Sequence, residues 1–522
     1  MPTERRGPVV LIGFDAGDPD LIERWTGEGH LPAIASLMAR GTWTRTGGVD
    51  LLCEHGIWIS LFGGVSWAQH GFHFFRHPVI GSYGLTLARG ADFEVKPFWN
   101  ELAGTGRKVF VLDPPDTGPV PGLSGWQVSE WATHSHYPPL SLAAIPAGAV
   151  GEIERRFGPR EPIGETIGAT VEQDRDTLER LLARVARKGK AVRDLLAQDR
   201  YELIAVTFAE AHTGGHQVWE YRRDAKGDGP RPAAGLGDGL LRLYQATDRE
   251  IGALVAALPE TADVVLVSSV GFYSSYPTEE LLDSFCRSLG YHVAPGSGPA
   301  PEGRRSLIGM LRGLVPASAR EIVNRLLPIS IQSRLVSEKF AASADWSRTT
   351  AYSTPGYYTG TIRVNLRGRE PLGTVEPGAE YEAVLDRLEA DLHALRDAES
   401  GLPVVARTVR TRAVLPPPVN DLVPDLLVFW GEHDRPLTRV RHPRLELRQA
   451  PHAFHRGSHH TTTGFLVASG PSVRTQGRVD DVSPLAVAPT MLQLLGLPVP
   501  ARMREAALAE WLVTPAAGTG PL

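Results

Sequence analysis

Short runs of wholly apolar residues recur along this chain, and stretches with helical periodicity separate them. The runs are 9–12 (VVLI), 108–113 (KVFVLD), 203–208 (LIAVTF) and 263–268 (DVVLVS). A run that is apolar throughout, without polar alternation, belongs to a strand covered on both faces. Between the runs, 19–25, 31–40, 172–199 and 237–257 carry apolar residues at helical spacing. Strand and helix alternating in this way specify an α/β fold with a doubly wound, mostly parallel sheet. Ligands of such sheets gather at the carboxyl ends of the strands. Later runs at 425–429 and 465–468 read as further strands. The segment 487–495 reads as a helix stopped by Gly496, with Pro498 beyond it.

With 522 residues, the expectation is one α/β domain over 1–513, an inserted cap-like segment at 293–345 and a flexible tail at 514–522. The segments 224–236 and 293–304 are rich in Gly and Pro and read as exposed loops, and 306–342 as helical. Lys and Arg total 54 against 59 Asp and Glu, a net charge of −5. That balance excludes a protein held to nucleic acid by bulk charge. Six of the basic residues are Lys and the rest Arg, the codon bias of a GC-rich, bacterial genome. Two cysteines, Cys53 and Cys286, exclude a disulfide framework and a thiolate zinc site. No apolar run is long enough for a signal peptide or a membrane span. The expectation is a soluble, cytoplasmic protein whose partner is a small-molecule substrate, with no nucleic acid and no membrane involved.

The 17 histidines are placed unevenly. His212 and His216 follow the run 203–208 as HTGGH. At i and i+4 two imidazoles converge on one ion if a helical turn forms, and the glycines between them permit a tight turn. His452, His455, His459 and His460 crowd a loop that leads into 465–468. Such a loop either is solvated, with incidental histidines, or delivers a third imidazole to the same strand ends. Asp15 follows the first run directly, where sites form. It is a functional acid or a helix cap, and Asp18 suits the cap better. Glu54 lies in an apolar stretch beside His55, and a carboxylate there needs a partner, a metal or solvent. Glu210 and Trp219 flank the histidine pair, His70 precedes Gly71, and His134 and His136 form a further pair. At the end of 263–268 stand Ser269 and Val270, neither of which is a good metal ligand.

The order and spacing of these segments resemble the alkaline phosphatase superfamily, in its type I phosphodiesterase/nucleotide pyrophosphatase-like branch. The resemblance rests on GFDAGDPDLI (13–22), HLPAIASLMARG (30–41), WISLFGGVSWAQHG (58–71), FAEAHTGGHQVW (208–219), VVLVSSVG (264–271), GTIRVNLRGREPLG (360–373), PDLLVFW (424–430), HTTTGFLVASGP (460–471) and APTMLQLLGLP (488–498). It implies an alkaline phosphatase-like α/β fold and a two-metal site for phosphoryl or sulfuryl transfer. One ion's place falls on His212, His216 and His460, with His459 as the competing register, and His212 stands where the family has Asp. The second ion's place falls on Asp15, but its Asp-His pair falls on Ser269 and Val270. The nucleophile position falls on Glu54 instead of Ser or Thr. What remains is a metal-dependent hydrolase with one zinc site of three histidines. Asp15 and Glu54 are the acid/base groups or added ligands. The alternatives are a repurposed metalloenzyme of bacterial secondary metabolism, doing hydrolysis, elimination or carbon–heteroatom chemistry, and a non-catalytic relic. His70 and the NLRGRE turn with Asn365 and Arg369 read as structural.

Overall fold

The computed structural model describes residues 7–52, 55–133, 141–164, 170–222, 235–274, 279–295, 328–356, 359–433, 435, 437–449 and 457–513. Its centre is a nine-stranded sheet in the order Gly477–Arg478, Gly41–Thr46, Gly464–Ser469, Asp263–Ser268, Val9–Phe14, Leu203–Phe208, Lys108–Leu112, Ser124–Ser129, Ala143–Ile145. The strands from Asp263–Ser268 to Ser124–Ser129 run parallel. Gly464–Ser469 is antiparallel to both its neighbours, and Ala143–Ile145 is antiparallel to its own. Every residue of Val9–Phe14, Leu203–Phe208 and Asp263–Ser268 is buried, as their unbroken apolar runs require. The mostly parallel central sheet with its helices is the alkaline phosphatase-like α/β fold.

Register sets the functional end of this sheet. Val9 lies opposite both Leu203 and Asp263, so Phe14, Phe208 and Ser268 end level with one another. The next residues, Asp15, Ala209 and Ser269, therefore emerge side by side at the carboxyl edge. The helix Glu210–Val218 starts immediately above.

Two features differ from the sequence expectation. The run at 425–429 forms Leu426–Trp430, which joins Ala351–Thr354, Gly360–Val364 and Val405–Arg410 in a separate four-stranded antiparallel sheet. That sheet has its own apolar core. Asp425, fully buried, is gripped by the Arg369 guanidinium through bonds of 2.8 and 2.7 Å. Asn365 donates to the carbonyls of Trp346 and Thr349. The NLRGRE turn is thus a structural clamp for this second sheet. The other difference is Gly41–Thr46, next to the edge of the large sheet, which the apolar-run criterion passes over because its buried face is Thr42, Thr44 and Thr46.

Of the segment 293–345, residues 296–327 lie outside the described residues. Its described helix, Ile329–Ala341, lies on the hairpin of Arg76–Pro78 and Leu85–Leu87. Ser337 and Ser333 accept the amides of Leu85 and Leu87. Residues 514–522 also lie outside. No described helix is long and apolar enough to cross a membrane.

Candidate metal centre

His212 and His216 sit one turn apart on the helix Glu210–Val218, so both imidazoles leave the same face. The two intervening glycines do not make a tight turn. Neither has a positive φ, and both lie inside the helix. Close packing explains them: a Cβ on Gly214 would come within 2.3 Å of Leu243 Cδ2, and one on Gly215 within 2.3 Å of the Phe272 ring.

His460 arrives from another direction. The short strand Ser458–His460 pairs antiparallel with Phe272–Ser274, His460 opposite Phe272 and His459 opposite Tyr273. Alternation along a strand turns neighbouring side chains to opposite faces. His460 faces the helix histidines, and His459 stacks on Tyr273 at 4.9 Å. His212, His216 and His460 thus form a group whose ligand atoms all lie within 4.8 Å of one another. Their ring centroids are 4.7 to 5.2 Å apart. His216 and His460 are buried and His212 is partly exposed, so the group opens outward on its His212 side.

Each imidazole is held by its Nδ1. His212 Nδ1 lies 3.2 Å from Asp15 Oδ2, His216 Nδ1 3.1 Å from Ser458 Oγ, and His460 Nδ1 3.1 Å from the Gly271 carbonyl. Carboxylate and carbonyl oxygens only accept, so His212 and His460 carry their proton on Nδ1 and present Nε2 as a lone pair. The Nε2 atoms of His216 and His460 face each other at 3.0 Å. Two nitrogens on a tetrahedral zinc, at bonds of about 2.0–2.1 Å, stand about 3.4 Å apart. An ion therefore fits with a small spreading of the rings. Burial, with His212 next, holds the His460 imidazole well below its usual pKa, which keeps it neutral as a ligand must be. Phe272 packs on His216 and on His460, and Trp219 packs on Phe272. Trp219 is therefore one ring removed from the histidines.

Asp15 stands behind His212, outside the three-histidine group. Its Oδ1 accepts from Trp58 Nε1 at 2.7 Å and from Ser269 Oγ at 2.9 Å. Ser269 Oγ in turn accepts the Ala16 amide at 3.0 Å. Asp18 caps the helix Pro19–Gly27 by accepting from Leu21, and also holds the Phe272 amide. Val270 is buried.

Other sequence candidates fall elsewhere. Glu54, Cys53, His134, His136, His452 and His455 lie outside the described residues. Glu210 does not orient the histidines. It is buried in an ionic cluster with Arg184 at 2.9 Å and Lys188 at 3.6 Å, and Lys188 also meets Asp113 at 3.2 Å. Sequence reading missed this cluster. Its signal was Arg184 and Lys188 at i and i+4 on the buried face of the helix Val171–Leu196. His70 meets Ser60 at 2.8 Å through Nε2, but its Nδ1 accepts the Phe72 amide. A neutral His70 then carries its proton on Nε2 and donates to Ser60, so this pair is no activated nucleophile.

The family model "Type I phosphodiesterase / nucleotide pyrophosphatase" matches residues 9–460. No curated protein matches the chain. Among solved structures, phosphonoacetate hydrolase from Sinorhizobium meliloti 1021 in complex with phosphonoformate aligns with a TM-score of 0.51 at 11% identity, covering 94% of this chain and 95% of the other. Its complex with phosphonoacetate gives 0.51 at 12% identity over the same shares. Murine ectonucleotide pyrophosphatase/phosphodiesterase 5, an inactive variant in complex with AMP, aligns at 0.44 and 12% identity, covering 97% of this chain and all of the other. The matched span takes in the first strand, the histidine helix and His460, and the chain belongs to the type I phosphodiesterase/nucleotide pyrophosphatase family of the alkaline phosphatase superfamily.

Proposed function

We propose that this chain is a metal-dependent hydrolase of phosphorus esters, phosphodiesters foremost, working from a single zinc centre held by His212, His216 and His460. One observation carries the reading: three imidazoles from two separate parts of the chain converge within 4.8 Å, each with Nδ1 anchored on an oxygen. An ordinary histidine surface has no need of that arrangement, whereas a metal site does. A bound zinc supplies a Lewis acid for a phosphoryl oxygen. The chain's own residues do the rest. Asp15 keeps a proton on His212 Nδ1, the Gly271 carbonyl does the same for His460, and Phe272 and Trp219 close the inner side to water. Glu54, at the sequence position of the family's Ser/Thr nucleophile, is proposed as the proton acceptor.

The test measures bound zinc and turnover together. Wild type should hold about one zinc per chain and hydrolyse aryl phosphodiesters. His212→Ala should lose both, and Glu54→Gln should keep the metal and lose the turnover. Wild type free of metal after purification in zinc buffer would refute the reading.

A second reading has its own support. Ser269 is a donor to Asp15 where the family's second ion has an acid, so two-metal phosphoryl transfer lacks its scaffold here. On that reading the same centre performs hydrolysis, elimination or carbon–heteroatom chemistry on a substrate without phosphorus. A stoichiometric zinc protein inert toward aryl phosphate mono- and diesters would favour it.

A further inference from the structure

We infer that Asp15 is a positioning residue, the carboxylate behind His212, and that its hydrogen-bond donors close the place where a second ion would bind. The inference rests on the zinc reading of the three histidines and goes beyond it by making Asp15 a support of His212 that is closed to a second ion. Oδ1 receives the Trp58 indole N–H at 2.7 Å and the Ser269 hydroxyl at 2.9 Å. An indole N–H is a donor only. The Ser269 hydroxyl is a donor here too, because a carboxylate oxygen only accepts, while its own oxygen accepts the Ala16 amide. A cation approaching Oδ1 meets the positive ends of these two bonds. Oδ2 is turned to His212 Nδ1 at 3.2 Å. This makes a carboxylate–imidazole pair in which the carboxylate fixes the tautomer and raises the basicity of the ligand nitrogen.

The backbone gives independent support. Ala16 is fully buried and has φ 50, a left-handed conformation that costs a residue with a Cβ roughly 1–2 kcal/mol. The Ala16 amide of this turn donates to Ser269 Oγ at 3.0 Å. Strain of this kind persists where the surrounding structure over-determines it, and here the turn is held by Ser269 on the Ala16 amide, by Tyr244 on the Ala16 carbonyl and by the Gly17 amide on the Phe14 carbonyl.

The experiment compares zinc stoichiometry and affinity, by competition with a chromophoric chelator, in the full-length wild type, Asp15→Asn and Trp58→Phe. The cobalt-substituted proteins report the ligand field by their visible absorption. Expected are one ion in all three, affinity lowered about 10–100-fold in Asp15→Asn, a smaller loss in Trp58→Phe and a shifted cobalt band in both. Trp58→Phe keeps an aromatic ring, smaller than the indole and without its N–H donor, and carries the test if Asp15→Asn fails to fold. Two ions in wild type and one in Asp15→Asn would make Asp15 a ligand and overturn the inference. So would unchanged affinity and an unchanged cobalt band in both variants. No ion in any of the proteins would instead overturn the zinc reading itself.

Discussion

The histidine helix packs closely on its neighbours at Gly214 and Gly215, and the two positions should respond differently to an added side chain. A Cβ on Gly214 would stand 2.3 Å from Leu243 Cδ2, with its next neighbour at 3.7 Å. A Cβ on Gly215 would stand 2.3 Å from both Cε2 and Cζ of Phe272 and 3.0 Å from Cδ2. Carbon atoms rest at about 3.5–4.0 Å, so each contact is short by more than 1 Å. Leu243 presents a methyl at the end of a flexible side chain. Phe272 presents a ring wedged between His216, His460 and Trp219. Alanine in a helix interior gains about 1 kcal/mol over glycine, and overpacking a core costs about 1–3 kcal/mol. Gly214→Ala should therefore be near neutral. Gly215→Ala should lose about 1–2 kcal/mol and push Phe272 into the two buried histidines. The diagnostic effect is on zinc affinity: at least a tenfold loss, about 1.4 kcal/mol, for Gly215→Ala and less than threefold for Gly214→Ala. Urea unfolding of the metal-free variants and chelator competition measure the two quantities separately. Equal zinc affinities in the two variants would refute the claim that Phe272 holds the histidines in place.

Three further outcomes follow from the same geometry. Zinc at a hundredfold excess over its dissociation constant should stabilise wild type by about 2.7 kcal/mol and leave His216→Ala unmoved, as read by thermal unfolding. Glu210→Ala removes the carboxylate that the fully buried Arg184 meets at 2.9 Å, while Lys188 keeps Asp113, and should cost about 3–5 kcal/mol in urea unfolding. Burial, followed by Asp113 and Asp116 against the opposing pull of Arg160 and Lys188, raises the Glu130 carboxyl to about 8 from its ordinary 4.5. A raised folded pKa means that the native state holds the proton more tightly. The stabilisation is complete below about pH 4.5 and lost as the pH climbs through 8. Glu130→Gln should flatten that decline, and a wild type whose stability is level from pH 5 to 9 would contradict it.

Much of this site was legible in the sequence, because residue type and strand position survive without coordinates. Asp15 and the histidine pair could be placed at strand ends from the apolar runs alone. A period of four put His212 and His216 on one face as soon as the segment became a helix. The choice between His459 and His460 was not legible. It depends on the pairing of His460 with Phe272, a long-range register with no local signal. The glycines of HTGGH misled for a related reason. Glycine permits a turn and equally permits close approach, and only the positions of Leu243 and Phe272 decide between them. Thr42 and Thr44 helped to hide a strand of the central sheet because their buried hydroxyls are satisfied in the fold, where they donate to the carbonyls of Arg474, Val479 and Asp480. Leu426–Trp430 looked like any other buried strand, and what assigns it to the second sheet is its long-range antiparallel pairing with Gly360–Val364 and Val405–Arg410.

Asp15 shows why a position read from the sequence is not yet a role. Its place after the first strand is common to a metal ligand, a general base and a supporting carboxylate. What separates these roles is which groups stand level with it, and that follows from Val9 lying opposite both Leu203 and Asp263. A slip of one residue in either pairing would turn Ser269 or the start of the histidine helix to the other face of the sheet. Asp15 would then lose Ser269 or His212. The in-phase ends of three parallel strands are thus the physical origin of the carboxylate–histidine pair. Ser269 has chemical meaning for Asp15 only because that register brings it to within 2.9 Å.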